Sequence, residues 1–211
     1  MDYGAYKQAR DKAWDILIKC EISELPVDMK RLCRQLGVPC FSYEKGRKQL
    51  EQLGLLEHTK ETDGFTIYRS GMYCIFYNDD KSKCPPGRVR FTIAHELGHI
   101  LLNHAMIPGK DCAYSLVNRE PEAQDDLIEQ QANVFASRLL APAGVLHELG
   151  ADSPEKIAQY CGLSKQSATY RWERIKKLIG RNKFGTSPLE VQALKNFEEY
   201  ITRTREENTK E

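Results

Sequence analysis

Arg90-Phe91-Thr92-Ile93-Ala94-His95-Glu96-Leu97-Gly98-His99 is the stretch on which the reading of this chain turns. His95 and His99 stand four residues apart. On an α-helix that spacing turns through about 400°, so both imidazoles leave the same face, one turn apart. Two histidines so placed can hold one cation. Glu96, beside them, is spaced to act on an attacking water rather than to be a ligand itself. Leu97, Ile100 and Leu101 supply apolar faces that bury the helix, and a site on a packed helix is held rigidly. Three of the five histidines, His95, His99 and His104, fall within ten residues on this segment. The helix is predicted to run from about Val89 to Asn103.

A zinc site of the catalytic kind needs a third protein ligand and an open position for water. In the metzincin pattern another histidine follows six residues after the second, with a glycine three after it. Those positions here are Ala105 and Leu102, which excludes that pattern. His104 is nine residues from His95, about half a turn out of phase on a continuous helix, and so is not read as a ligand. An acid on a later helix is the better candidate. Glu129 lies thirty residues after His99, in Ile128-Glu129-Gln130-Gln131-Ala132-Asn133-Val134-Phe135-Ala136. Asn133 is one turn on and can orient its neighbours. Glu120, Glu122, Asp125 and Asp126 compete, but they lie in or near a loop, which holds a ligand less rigidly.

Working outward, residues 5–20 carry Ala9, Ala13, Ile16, Leu17 and Cys20 at helical spacing. Asp28 can cap a second helix, Met29 to Leu36, which Gly37 ends. Val38 to Tyr43 reads as a short edge strand because of Pro39, and residues 44–62 have room for a short helix. Phe65-Thr66-Ile67-Tyr68 and Tyr73-Cys74-Ile75-Phe76-Tyr77 flank a turn at Arg69 to Met72, which is a hairpin pattern. A polar loop is expected from Pro108 to about Asp125, then a helix from Asp126 that ends before Pro142. Ser153-Pro154-Glu155 starts a further helix, Gly162 breaks it, and Ser164 caps another to about Ile179. Ser187-Pro188 starts a last helix with Leu194, Phe197 and Ile201 on one side, and Thr202 to Glu211 is expected to fray. The expected fold class is α+β: a mainly helical zincin-like metallopeptidase core with a small antiparallel sheet, followed by a helix-turn-helix-like helical segment. The expected division is 1–150 for the peptidase domain, 151–185 for the helix-turn-helix-like segment and 186–211 for the C-terminal helix and charged tail.

The whole chain sets few further limits. It has 211 residues, enough to bury a core. Its 31 basic residues balance 30 acidic ones, so net charge points to neither a nucleic acid nor a membrane partner. At 41% apolar residues the composition is that of a folded protein. Apolar runs are far short of the ~20 residues that cross a bilayer, and the start of the chain does not read as a signal peptide. The seven cysteines are odd in number and dispersed, without a Cys-x-x-Cys pair. They are expected to be reduced thiols in the cytoplasm rather than a disulfide framework or a zinc knuckle.

The first block, together with Glu129-x-x-Ala132-Asn133-x-Phe135-Ala136-x-x-Leu139-Leu140-x-Pro142, resembles the ImmA/IrrE family of metallopeptidases. The likeness extends to Leu25-Pro26-Val27-Asp28 and Leu36-Gly37-Val38, and it spans roughly residues 5–180. The resemblance implies that His95, His99 and Glu129 bind the metal and that Glu96 is the general base. It further implies a protein substrate, usually a helix-turn-helix transcriptional repressor of a mobile element or stress response. Gln131 departs from the family, which often has an acid there, and His104 stands one place later than a histidine common in the family. Zinc is the default metal, and manganese or iron also suit two histidines and a carboxylate. Tyr68, Tyr73 and His104 are candidates to stabilise the oxyanion, and the hairpin can offer an edge to an extended substrate.

Ile157 to Ala168 has a helix-turn-helix pattern, with a small residue in the first helix, glycine at the turn and a capped second helix. Lys165, Arg171 and Arg174 head a run of cations suited to phosphate contacts. The competing reading is a packing module with its charges on a solvated face, and the sequence favours it. Two function classes follow: an endopeptidase, or a DNA-binding or regulatory protein with a structural metal site. Glu96 discriminates between them, since a structural site has no need of a base.

Overall fold

The protein is described from a computed structural model covering residues 2–104 and 123–209. Glu120, Glu122, Ala105 and Cys112, with most of the expected loop, lie outside the described residues. The elements are α1 (Tyr3–Lys19), α2 (Met29–Gln35), β1 (Cys40–Ser42), α3 (Arg47–Gln52), α4 (His58–Glu61), β2 (Gly64–Arg69), β3 (Met72–Tyr77) and α5 (Pro86–Leu101). After the gap come α6 (Ala123–Leu140), α7 (Ala143–Glu148), α8 (Pro154–Cys161), α9 (Lys165–Ile179), α10 (Pro188–Lys195) and α11 (Glu198–Asn208). The capping residues act as their chemistry suggests. The Asp28 carboxylate accepts from the backbone of Lys30 and Arg31, Ser153 accepts from Lys156, and Ser164 accepts from Ser167.

The hairpin forms, but the sheet is not wholly antiparallel. Its order is β1-β3-β2, with β2 antiparallel to β3 and β1 parallel to it. A parallel pair needs a crossover connection, and α3, α4 and β2 supply it between β1 and β3. Alternation along β2 sends Phe65 and Ile67 into a small cluster with Leu50, Leu55 and Phe76. Thr66 therefore faces the other way, toward α5. The main apolar core is one continuous cluster from Ala9 to Ile201, with members on α1, α5, α6, α9 and α11.

Two close approaches position α5. At Gly98 an added Cβ would sit 3.0 Å from the Phe135 ring and 3.3 Å from Ala132 Cα. Gly98 and Ala132 thus let α5 and α6 cross closely. At Gly87 an added Cβ would sit 2.6 Å from the Ser164 nitrogen. The turn between α8 and α9 therefore abuts the first turn of α5. Arg90 fastens the same junction, donating to Val27 O at 2.6 Å and to Gly162 O at 3.4 Å.

The expected frayed tail is a correction. The C-terminal segment forms two helices, and α11 continues to Asn208 with Phe197 and Ile201 buried in the core and two surface ion pairs along its length. Arg203 meets Glu24 at 2.7 Å, and Arg205 meets the Glu148 carboxylate at 2.7 Å. Among the described residues no helix is long and apolar enough to cross a membrane.

Candidate metal centre

His95 and His99 leave one face of α5, with their Nε2 atoms 2.9 Å apart. The α5–α6 crossing brings Glu129 over them. Its Oε2 lies 3.1 Å from His95 Nε2 and its Oε1 3.2 Å from His99 Nε2. Two imidazole nitrogens and a carboxylate oxygen, all within 4.8 Å of one another, could hold a metal ion. This donor set fits a tetrahedral divalent cation with one position left for water. His99 is 1% exposed and the Glu129 side chain 47%, so the cluster is closed on the protein side and open toward solvent.

The electrostatics follow from this convergence. Hydrogen bonds from His95 and His99 hold the Glu129 carboxyl well below the usual carboxylate range. Burial works against a cationic His95, but Glu129 and Glu96 outweigh it and push its pKa up. His104 is driven down to about 4 by burial and by the neighbouring His99. A group that gathers acids and imidazoles this tightly has the perturbed titration typical of functional clefts.

Both histidines are held from behind. His95 Nδ1 is 3.1 Å from Asn133 Oδ1, and His99 Nδ1 is 3.2 Å from His104 Nδ1. His104 Nε2 in turn meets Gln131 Oε1 at 3.2 Å. Glu96 is 8% exposed and accepts a hydrogen bond from Thr66 Oγ1 at 2.8 Å. The cluster opens on a cleft of about 340 Å³, also lined by His58, Glu61, Gly64 and Thr66. Gly64 and Thr66 belong to β2, whose only sheet neighbour among the described residues is β3.

The structure thus brings His95, Glu96, His99, Glu129 and Asn133 together. Asp126 is exposed at the start of α6 and stands outside the cluster. Tyr68 and Tyr73 pack on each other at 4.8 Å between ring centroids, and neither lines the cleft. His104 sits behind His99 rather than in the cleft. In α9, Lys165 is exposed, 4.0 Å from Glu155, and Arg174 lies over the Tyr6 ring at 4.9 Å. Arg171 is a correction. It is 2% exposed and its Nε donates to Ala141 O at 2.7 Å, so it offers nothing to a phosphate. The signal was present in the sequence: Ala168, Arg171 and Ile175 share one helical face, and all three are buried. Thr66 and Gln131 were not singled out for these contacts. Their partners are 30 and 27 residues away, beyond any local pattern.

A helix-borne His-Glu-x-x-His, a carboxylate from the next helix and a strand edge beside the cleft define a metallo-endopeptidase. The chain belongs to the IrrE N-terminal-like domain family, which matches residues 51–173. It is also 30% identical over 132 residues to Metallopeptidase ImmA of Bacillus subtilis (strain 168), an alignment covering 61% of this chain and 67% of that protein.

Proposed function

We propose that His95, His99 and Glu129 bind a zinc ion, and that Glu96 is the general base of an endopeptidase that cuts a helix-turn-helix transcriptional repressor in the cytoplasm. The observation that carries the reading is the convergence of both Nε2 atoms on the Glu129 carboxylate, with Glu96 held beside them by Thr66. When bound, zinc would lower the pKa of its water toward ~7 and polarise the scissile carbonyl. Glu96 takes a proton from the attacking water and delivers it to the leaving amine. Thr66 orients the carboxylate from β2. Asn133 accepts from His95 Nδ1–H and leaves the Nε2 lone pair for the metal. The edge of β2 that has no sheet neighbour among the described residues receives the substrate as an added strand.

The repressor substrate rests on the family resemblance, and the cytoplasmic setting on the six described cysteines, all free thiols. We assign residues 1–150 to the peptidase domain, and 151–185 with 186–211 to a support that packs on it. Arg171 bonded to Ala141 O and the α8–α9 turn seated on Gly87 favour support over DNA contact. A structural metal site in a regulatory protein would leave Glu96 without a role.

Glu96→Gln provides the test. The variant is expected to keep zinc stoichiometry, measured by elemental analysis, and to lose about 10²–10⁴-fold in cleavage of a cognate helix-turn-helix repressor. Cleavage at the wild-type rate would remove Glu96 from the mechanism. Manganese or iron in the purified protein would replace zinc without altering the ligand set.

A further inference from the structure

We propose that His104 and Gln131 form a positioning relay that holds a hydrogen on Nδ1 of His99 and fastens this residue to the first turns of α1. The proposal rests on the ligand set above.

The relay starts at a group with no choice. Gln131 Nε2 lies 3.2 Å from the Ala5 carbonyl oxygen and 3.1 Å from Gln8 Oε1. A carbonyl oxygen only accepts, so the amide nitrogen must face it. The Gln131 oxygen then faces His104 Nε2 at 3.2 Å, and that nitrogen must carry a hydrogen. A neutral imidazole with Nε2–H has a lone pair on Nδ1. The His104 Nδ1 lone pair faces His99 Nδ1 at 3.2 Å, so His99 must be the donor there. His99 therefore keeps a hydrogen on Nδ1, so the one its Nε2 gives to Glu129 is the one a metal would displace, leaving the form a metal ligand requires.

Reversing any step breaks another. If His104 donated from Nδ1, its Nε2 lone pair would meet the Gln131 oxygen. Flipping the amide to relieve that would set the Gln131 oxygen against the Ala5 carbonyl. A doubly protonated His104 would put a cation against a metal ligand. His99 and Gln131 are buried, at 1% and 6% exposed, so water has little access to substitute for a missing partner. His95 is oriented from its own Nδ1 by Asn133, and the two ligand histidines are thus set independently.

Zinc affinity is measured by competition with a chromophoric chelator, and His99 protonation in the metal-free protein by long-range nitrogen–proton NMR. Wild type is expected to show His99 protonated at Nδ1. His104→Ala should leave the Nδ1 hydrogen of His99 only partly present and weaken zinc by about 10–100-fold. His104→Asn places an acceptor oxygen where Nδ1 stood and should restore both readouts most of the way. Gln131→Leu frees His104 to rotate and should fall between. His99→Ala must lose zinc. If it binds zinc like wild type, the ligand set is at fault rather than the relay. Wild-type His99 without a hydrogen on Nδ1, or a folded His104→Ala that binds zinc like wild type, would overturn the relay. Should His104→Ala fail to fold, the wild-type tautomer and His104→Asn still decide.

Discussion

The crossing of α5 with α6 and the pair α8–α9 are both helix pairs rich in polar side chains, and they direct those side chains differently. In α5 and α6 the polar groups face inward and each finds a partner: Glu96 on Thr66 of β2, His95 on Asn133 of α6, and His99 on His104 just past the end of α5. In α9, Lys165 faces solvent and Arg171 turns inward to a backbone carbonyl. The charge pattern alone does not separate the two. What separates them is the surface each helix meets. Gly98 and Ala132 are small enough to bring two backbones together, and only at that separation can Glu129 reach both histidines.

The largest expected effect therefore comes from the crossing. Gly98→Val adds two methyl groups beyond a Cβ that already approaches the Phe135 ring to 3.0 Å. Overpacking of this kind costs about 1–3 kcal/mol, which corresponds to a fall in Tm of a few degrees for a chain this size. The spreading of α5 from α6 should also weaken metal binding more than tenfold, a loss of the order caused by misplacing a ligand's support. Gly180→Ala is the matched change in the other region, since its Cβ would meet only Lys176 O at 3.5 Å. Chelator competition and thermal melts on both variants check the contrast. Equal metal affinity in Gly98→Val and wild type would show that the close crossing does not set the site.

A middle-sized effect is expected at Arg171. Its Nε holds Ala141 O, and its Nη1 is buried without a hydrogen-bond partner. Arg171→Ala leaves the carbonyl unsatisfied, at a cost of about 1–3 kcal/mol. Burial of the guanidinium also lowers its pKa, as expected of a cation taken from water. Thermal melts should therefore move, while any salt dependence of duplex DNA binding should not. A salt slope that falls by about one with an unchanged melt would instead mark a phosphate contact.

These two regions also show how far the sequence reaches. The helices of the site were legible because amphipathic spacing is local, and His95 with His99 because their chemistry depends on one helix turn. Glu129 was legible only as one acid among several, since nothing in its neighbourhood says which way α6 crosses α5. The parallel β1 was not legible. Val38 to Tyr43 has strand composition, but direction is set by a crossover through α3 and α4, not by the strand itself. Thr66 and Gln131 were missed for the same reason: each acts on a residue in another element. Arg171 differs, because its place on the face of Ala168 and Ile175 was readable and was outweighed by the count of cations around it.

The smallest effect tests where Arg174, another cation of α9, goes. Arg174 lies 4.9 Å from the Tyr6 ring, and Arg138 on α6 donates to Tyr6 Oη at 3.1 Å. Burial pushes the phenol up, but Arg138 and then Arg174 outweigh it and bring its pKa down to about 8. A phenol that ionises more readily folded than unfolded contributes stability that is full above its unfolded pKa of about 10. That contribution is lost as pH falls through about 8. Between those limits wild type should gain on Tyr6→Phe by no more than about 1 kcal/mol, since the phenol is partly screened by solvent. Ultraviolet difference titration should show one of the ten tyrosines ionising early. Tyr6→Phe should abolish that step, and Arg174→Ala should move it upward. An early step that ignores Arg174→Ala would leave this cation free for an outside partner, and α9 would then differ from α6 in the way its charge pattern first suggested.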